Sequence, residues 1–227
     1  MTATAPAATS DPLLRQALVP PVARVHETPF RFVTSSGVLD PAARDALLAD
    51  FPRYAGAGFF PHDEADCGPA VNALVAALTR PDVADALGAQ LGLPSLGGHP
   101  TLVTLCRALN SRHGNVHTDS LSKIATALVY LEPDWPNGSA GCLRFVANGD
   151  DVESVVVPEL PPVYGNFAIF RRADNSFHGH LPYEGQRRVI QVAWLTSEEE
   201  KLRKTRRGRF SRLVKRIVGA LDRRWGR

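Results

Sequence analysis

HGNVHTDSLSKIATALVYLEPDW (113–135) is the stretch on which the reading of this chain turns. It sets His117 and Asp119 two residues apart, directly before an alternating apolar run. In an extended segment, residues i and i+2 point the same way. Both side chains can then converge on one point, as two ligands of a metal do. The remaining ligands must come from elsewhere in the chain.

A second stretch, RRADNSFHGHLPYEGQRRVIQVAWL (171–195), supplies them. It adds His178 and His180 at a strand start, then Arg187 and Arg188 at the opening of an apolar strand. The set His-x-Asp…His…Arg is what a non-haem iron oxygenase requires. Two imidazoles and one carboxylate bind Fe(II) on one face and leave three positions open. A 2-oxoacid takes two of these and dioxygen the last. An arginine fork matches the far carboxylate of such a cosubstrate. On the residues alone, His178 and His180 are both candidates for the distal ligand.

The surrounding texture predicts the architecture. From about residue 100 the chain reads as short β-runs: TLVTLCRAL, IATALVYLE, GCLRFV, SVVVPE, NFAIFRR, SFHGHLPY and RRVIQVAWL. Turn-rich pieces such as EPDWPNGSAG, VANGDD and RRADNS separate them. Residues 39–92 read as helical, with Asp40 as an N-cap, Pro41 at the first helical position and a break at Pro81. The fold class expected is α+β with a mainly β core, a double-stranded β-helix (jelly roll, cupin-like). Residues 1–20 form a flexible leader, 21–98 a helix-rich part packing on the core, 99–197 the core, and 198–227 a basic amphipathic helix.

Three blocks resemble the Fe(II)/2-oxoglutarate-dependent dioxygenases, in particular their prolyl-4-hydroxylase-like branch. HTDSLSKIATALVYLEPDW is similar to the family's His-x-Asp strand and Tyr-Leu-x-x-x-Trp segment. SAGCLRFV resembles its Gly-Gly-x-Leu-Arg block, with Ala140 in place of the first glycine. The stretch from Pro161 to Leu195 resembles its closing region: Pro-x-x-Gly, an apolar strand, then His, Pro and Arg. The blocks span roughly 100–196, and their order is more specific than any one of them.

The resemblance implies His117 and Asp119 as the first two iron ligands. Its spacing, four before the proline and nine before the arginine, selects His178 counted back from Pro182 and Arg187. His180 is then the less favoured distal ligand. Arg187 is the expected partner of the 2-oxoglutarate C5 carboxylate, with Tyr130 and Thr126 as supporting groups. The implied cofactors are Fe(II), 2-oxoglutarate and O2. The implied reaction hydroxylates an unactivated C–H bond as 2-oxoglutarate becomes succinate and CO2. Because Asp119 fills the third ligand position, hydroxylation is expected rather than halogenation. The substrate class is a protein side chain of prolyl type or a small or glycan-type metabolite. The alternative is a catalytically silent jelly-roll binding module targeted by its tail.

Composition bounds the rest. A hydrophobic share of 44% and a charged share of 22% are ordinary for a globular protein. No apolar run approaches a membrane span, and the N-terminus lacks the basic and apolar regions of a secretory signal. Cys67, Cys106 and Cys142 form no C-x-x-C pair, which fits a reducing, cytoplasmic setting. GLPSLGG lacks a phosphate-loop Lys-Ser/Thr, so nucleotide binding has no support. His62, Asp63, Glu64 and Asp66 crowd one loop that reads as solvated.

Net charge is unevenly spread. Residues 201–227 hold twelve Lys/Arg against one acid and so carry +11 of a chain total of +3, leaving −8 on the rest. Within 209–225 the apolar residues Phe210, Leu213, Val214, Ile217, Val218, Leu221 and Trp225 make one helical stripe. That pattern suits peripheral membrane contact or packing on the protein's own body, with nucleic acid ranked behind.

Overall fold

The computed structural model describes residues 23–208. Ten strands run in chain order: β1 (Arg24–His26), β2 (Phe32–Ser35), β3 (Phe59–Pro61), β4 (Thr101–Leu109), β5 (Lys123–Tyr130), β6 (Arg144–Asn148), β7 (Asp151–Val155), β8 (Phe167–Arg171), β9 (His178–Gly179) and β10 (Gly185–Leu195). Seven of them form one sheet in the order β1-β2-β8-β5-β10-β4-β3, and a smaller sheet has the order β7-β6-β9. Every strand pair is antiparallel. The two sheets make the jelly-roll, double-stranded β-helix core that the sequence led us to expect.

The pleat sorts the central strands into two faces. Register pairs Val189 with Tyr130 and Gln191 with Leu128, and between them Ile190 with Val129 and Val192 with Ala127. The first set looks toward the small sheet. There Phe32, Leu128, Tyr130, Phe145, Phe170 and Val189 build the core between the sheets. The second set looks outward and meets Leu47, Val71, Leu74 and Leu87 in a separate cluster. Those residues come from α1 (Arg44–Asp50), α2 (Pro69–Leu78) and α3 (Pro81–Gln90). Ile190 and Val192 are wholly buried there, and each such side chain stabilises the fold by about 1.5–3 kcal/mol.

Local signals explain the helix starts. Asp40 accepts a hydrogen bond from Ala42 N at 3.0 Å and opens a short 3-10 turn that leads into α1. Pro69 and Pro81 stand at the first positions of α2 and α3. Within the span read as helical, however, Phe59–Pro61 is a strand on the edge of the large sheet, pairing with β4. β1 and β2 add a second edge from the N-terminal part. Strands of three or four residues are too short to show a period in sequence. The run expected at 154–159 instead pairs at Asp151–Val155, closing a tight hairpin in which Asn148 faces Asp151. Pro158, lacking an N–H, cannot extend that ladder.

Residues 198–208 are helical. Lys204 Nζ donates to Ser120 Oγ at 3.0 Å, which ties this helix to the loop before β5. The apolar stripe of 209–225 lies outside the described residues. No helix among the described residues is long and apolar enough to cross a membrane.

Candidate metal centre

Two local features bring the stretches 113–135 and 171–195 together at one point. His117 N–H donates to His178 O and His178 N–H donates to His117 O, both at 3.0 Å, in an isolated antiparallel bridge. Residues directly opposite across such a pair project to the same side. The two imidazoles therefore stand together, ring centres 4.5 Å apart. A tight turn, in which Lys123 N donates to Ser120 O at 2.9 Å, folds the chain back before β5 and sets Asp119 beside the strand it precedes.

Each histidine is oriented by a carbonyl. His117 Nδ1 donates to Asn115 O at 2.8 Å, and His178 Nδ1 donates to Ser176 O at 2.9 Å. With a carbonyl as partner, Nδ1 carries the proton and Nε2 keeps its lone pair, the arrangement of a metal-binding histidine. Asp119 is 6% exposed and held from both sides. Lys123 Nζ donates to Oδ1 at 2.6 Å and Thr126 Oγ1 to Oδ2 at 2.5 Å. Burial alone would raise its carboxyl; the Lys123 charge and the two hydrogen bonds more than offset this and hold it below the ordinary value. Burial, reinforced by His117 and opposed by Asp119, pushes the His178 imidazole down to about 4, so it is neutral at pH 7.

One potential ligand atom from each of His117, Asp119 and His178 lies within 4.8 Å of the others, and among the described residues no other such group forms. Two neutral imidazole nitrogens and one carboxylate oxygen are the donor set of a facial triad, which suits iron and leaves positions free. The residues fit the metal that the sequence implies. In the acidic loop, His62 instead sits 2.9 Å from Asn72 Oδ1, and Asp63 accepts from Ala65 N.

The group opens into a cavity of about 250 Å³ whose wall includes Leu128, Leu143, Arg187 and Gln191. Arg187 is 3% exposed. Its Nε donates to Gly141 O at 2.7 Å and its Nη2 to Tyr130 Oη at 3.4 Å, with the guanidinium 5.1 Å from the Tyr130 ring centre. Gly141 has φ +74°, and a side chain there would press on Trp135 and Tyr183, so glycine is needed to present that carbonyl. Burial raises the Tyr130 hydroxyl, only partly countered by Arg187, and keeps it a neutral hydrogen-bonding group. Among the described residues Nη1 of Arg187 makes no hydrogen bond, and it can donate to a ligand.

The other expected residues fall as follows. Thr126 is engaged with Asp119, so it serves the carboxylate rather than the arginine. His180 lines the cavity but lies outside the converging group. Its Nδ1 donates to Leu181 O at 2.8 Å, and burial, then the Arg187 charge, lowers it to about 4. Gly114, at φ +102°, leaves the space its ring fills. Arg188 points to the other face, where its N–H and Nη1 donate to Glu132 at 2.6 and 3.0 Å. Arg144 is paired with Glu153 and Glu159, each at 2.8 Å. Sequence reasoning passed over Lys123, a lysine four residues after Asp119 at the head of an apolar strand, and His113, which also lines the cavity.

Comparison with known proteins agrees with this geometry. Residues 104–196 match the family model of the 2OG-Fe(II) oxygenase superfamily. A prolyl-4-hydroxylase of Pseudomonas putida has a similar structure, with 20% identity over 73% of this chain and 92% of that one, at a TM-score of 0.52. A prolyl hydroxylase of Trichoplax adhaerens, solved with a hypoxia-inducible-factor peptide fragment, is 16% identical over 75% and 86% of the two chains, at 0.50. No curated protein sequence matches the chain. The segment 104–196 is thus similar in sequence to the 2OG-Fe(II) oxygenase superfamily, and the chain shares the fold of these prolyl hydroxylases.

Proposed function

We propose that this chain is an Fe(II)- and 2-oxoglutarate-dependent dioxygenase that hydroxylates an unactivated C–H bond. Its substrate is a protein side chain of prolyl type or a small or glycan-type metabolite. The observation that supports this most is the pairing of the His117–Asp119–His178 group with a buried arginine in one cavity. Iron and 2-oxoglutarate, when bound, supply the oxidising chemistry; the protein's part is binding, orientation and exclusion of water.

Each residue has a defined part in that reading. His117 and His178 offer Nε2, and Asp119 offers one oxygen. Asn115 O and Ser176 O fix the two ring orientations, while Thr126 and Lys123 fix the carboxylate. Arg187 and the Tyr130 hydroxyl receive the C5 carboxylate of 2-oxoglutarate. Leu128 and Leu143 make the wall apolar, which strengthens every charge interaction inside it. The test is anaerobic addition of Fe(II) and 2-oxoglutarate to the full chain. A weak visible charge-transfer band is expected from the chelate, followed by succinate once O2 is admitted. A folded, metal-loaded protein showing neither would point instead to a silent jelly-roll binding module.

A further inference from the structure

The cavity wall contains one acidic side chain, Asp119, and two basic ones besides histidine, Arg187 and Lys123. In the reading above, Arg187 is taken by the cosubstrate. The two charges of a divalent metal and the two of 2-oxoglutarate cancel. Asp119 balances one of the two cations, so the assembled site keeps a surplus of one positive charge. That surplus sits at the metal end. Lys123 is only 14% exposed, its Nζ on Asp119 Oδ1, and an ammonium held in a partly dry cavity calls for an anion.

The neighbourhood deepens the surplus. Lys204, from the helical segment 198–208, reaches Ser120 in the same loop, and Arg172 Nε donates to the Asp119 carbonyl at 3.3 Å. Neither of the nearby carboxylates lines the cavity. Asp174, paired with Arg172, is 91% exposed, and Glu200 is bonded to Arg203. Basic side chains thus meet the 119–123 turn from two further elements, the residue after β8 and the helical segment 198–208.

We infer that the substrate carries an anionic oxygen group, a carboxylate or a phosphate, which docks on Lys123 with Lys204 behind it. This would set the target carbon beside the metal by a charge contact that no neutral analogue reproduces. Lys123 is then a specificity-determining residue in addition to any effect on Asp119. The inference rests on the oxygenase reading of the site.

The test uses the full chain with Mn2+ and 2-oxoglutarate, and follows the magnetic relaxation of two probe anions, inorganic phosphate (31P) and acetate (1H). An anion on Lys123 lies one hydrogen bond beyond an Asp119 oxygen, close enough for a metal there to relax it. Saturable enhancement is expected in wild type and in Lys123→Arg. Anion affinity should fall about tenfold or more in Lys123→Met, the size of a lost charge-assisted contact, and less in Lys204→Met. The stronger of the two probes distinguishes a phosphate from a carboxylate substrate. Equal enhancement in wild type and Lys123→Met would mean direct binding to the metal and would overturn the inference. So would a wild type with no saturable enhancement. If Lys123→Met fails to take up Mn2+, the comparison passes to Lys204→Met, and an unchanged affinity there overturns it. A wild type that binds neither Mn2+ nor 2-oxoglutarate would sink the oxygenase reading itself, a distinguishable result.

Discussion

The two faces of β5 and β10 carry different kinds of side chain. On the outward face, Ala125, Ala127, Val129, Ile190, Val192 and Trp194 pack beneath the three helices. On the inward face the same strands present Thr126, Leu128, Tyr130, Arg187 and Val189, and there polar groups are interleaved with the core. Successive residues of one strand thus serve different ends. The outward set fixes where the strands lie. The inward set uses that fixed backbone to aim hydroxyls and a guanidinium at a point. Substitutions on one face should therefore move stability, and on the other ligand binding.

The largest separation is expected from Arg187→Met. Truncating one partner of a buried charge contact costs about 2–5 kcal/mol, so 2-oxoglutarate affinity should drop on the order of 10²–10³-fold. Calorimetric titration checks this, and circular dichroism should show the fold retained. Ile190→Ala, three residues along the same strand and on the other face, should do the reverse. It should lower unfolding free energy by about 2–5 kcal/mol in urea titration, with 2-oxoglutarate affinity of the folded protein unchanged. A matching loss of affinity would show that the faces are coupled.

Titration sharpens the comparison further. His178 and His180 are both lowered from 6.5 to about 4, chiefly by burial. Below pH 6.5 the unfolded chain binds protons that the folded, metal-free protein refuses. The stability present above pH 6.5 is therefore lost as pH falls toward 4, by a few kcal/mol. Urea midpoints measured across that window should fall steeply in wild type and less in His180→Ala. The smallest effect belongs to Thr126→Val, which keeps shape and removes the donor to Asp119 Oδ2. Metal affinity should fall about tenfold, as for other groups that orient a ligand, with little change in thermal stability.

Much of this was readable from residue order. Short apolar runs at 123–130 and 187–195, bounded by turn-rich pieces, identified the central strands, which are buried on both faces. His117 and Asp119 were legible because their spacing is itself geometric. The edge strands Arg24–His26 and Phe59–Pro61 were not, since three residues cannot display a period. Nor was the use of Thr126. The resemblance made it a supporting group for the cosubstrate, but only the turn at 120–123 brings Asp119 within reach of its hydroxyl. Lys123 stayed hidden for the same reason, because its meeting with Asp119 depends on a turn and not on strand spacing.

The most direct trial of the account compares two histidines separated by one glycine. Mn2+ titration, followed by electron paramagnetic resonance, should be run on wild type, His178→Ala and His180→Ala. His178→Ala should lose tight Mn2+ binding, because an Nε2 aimed by Ser176 O is gone, while His180→Ala should bind as wild type does. Retained binding in folded His178→Ala, with loss in His180→Ala, would contradict it and move the metal to the other side of the cavity.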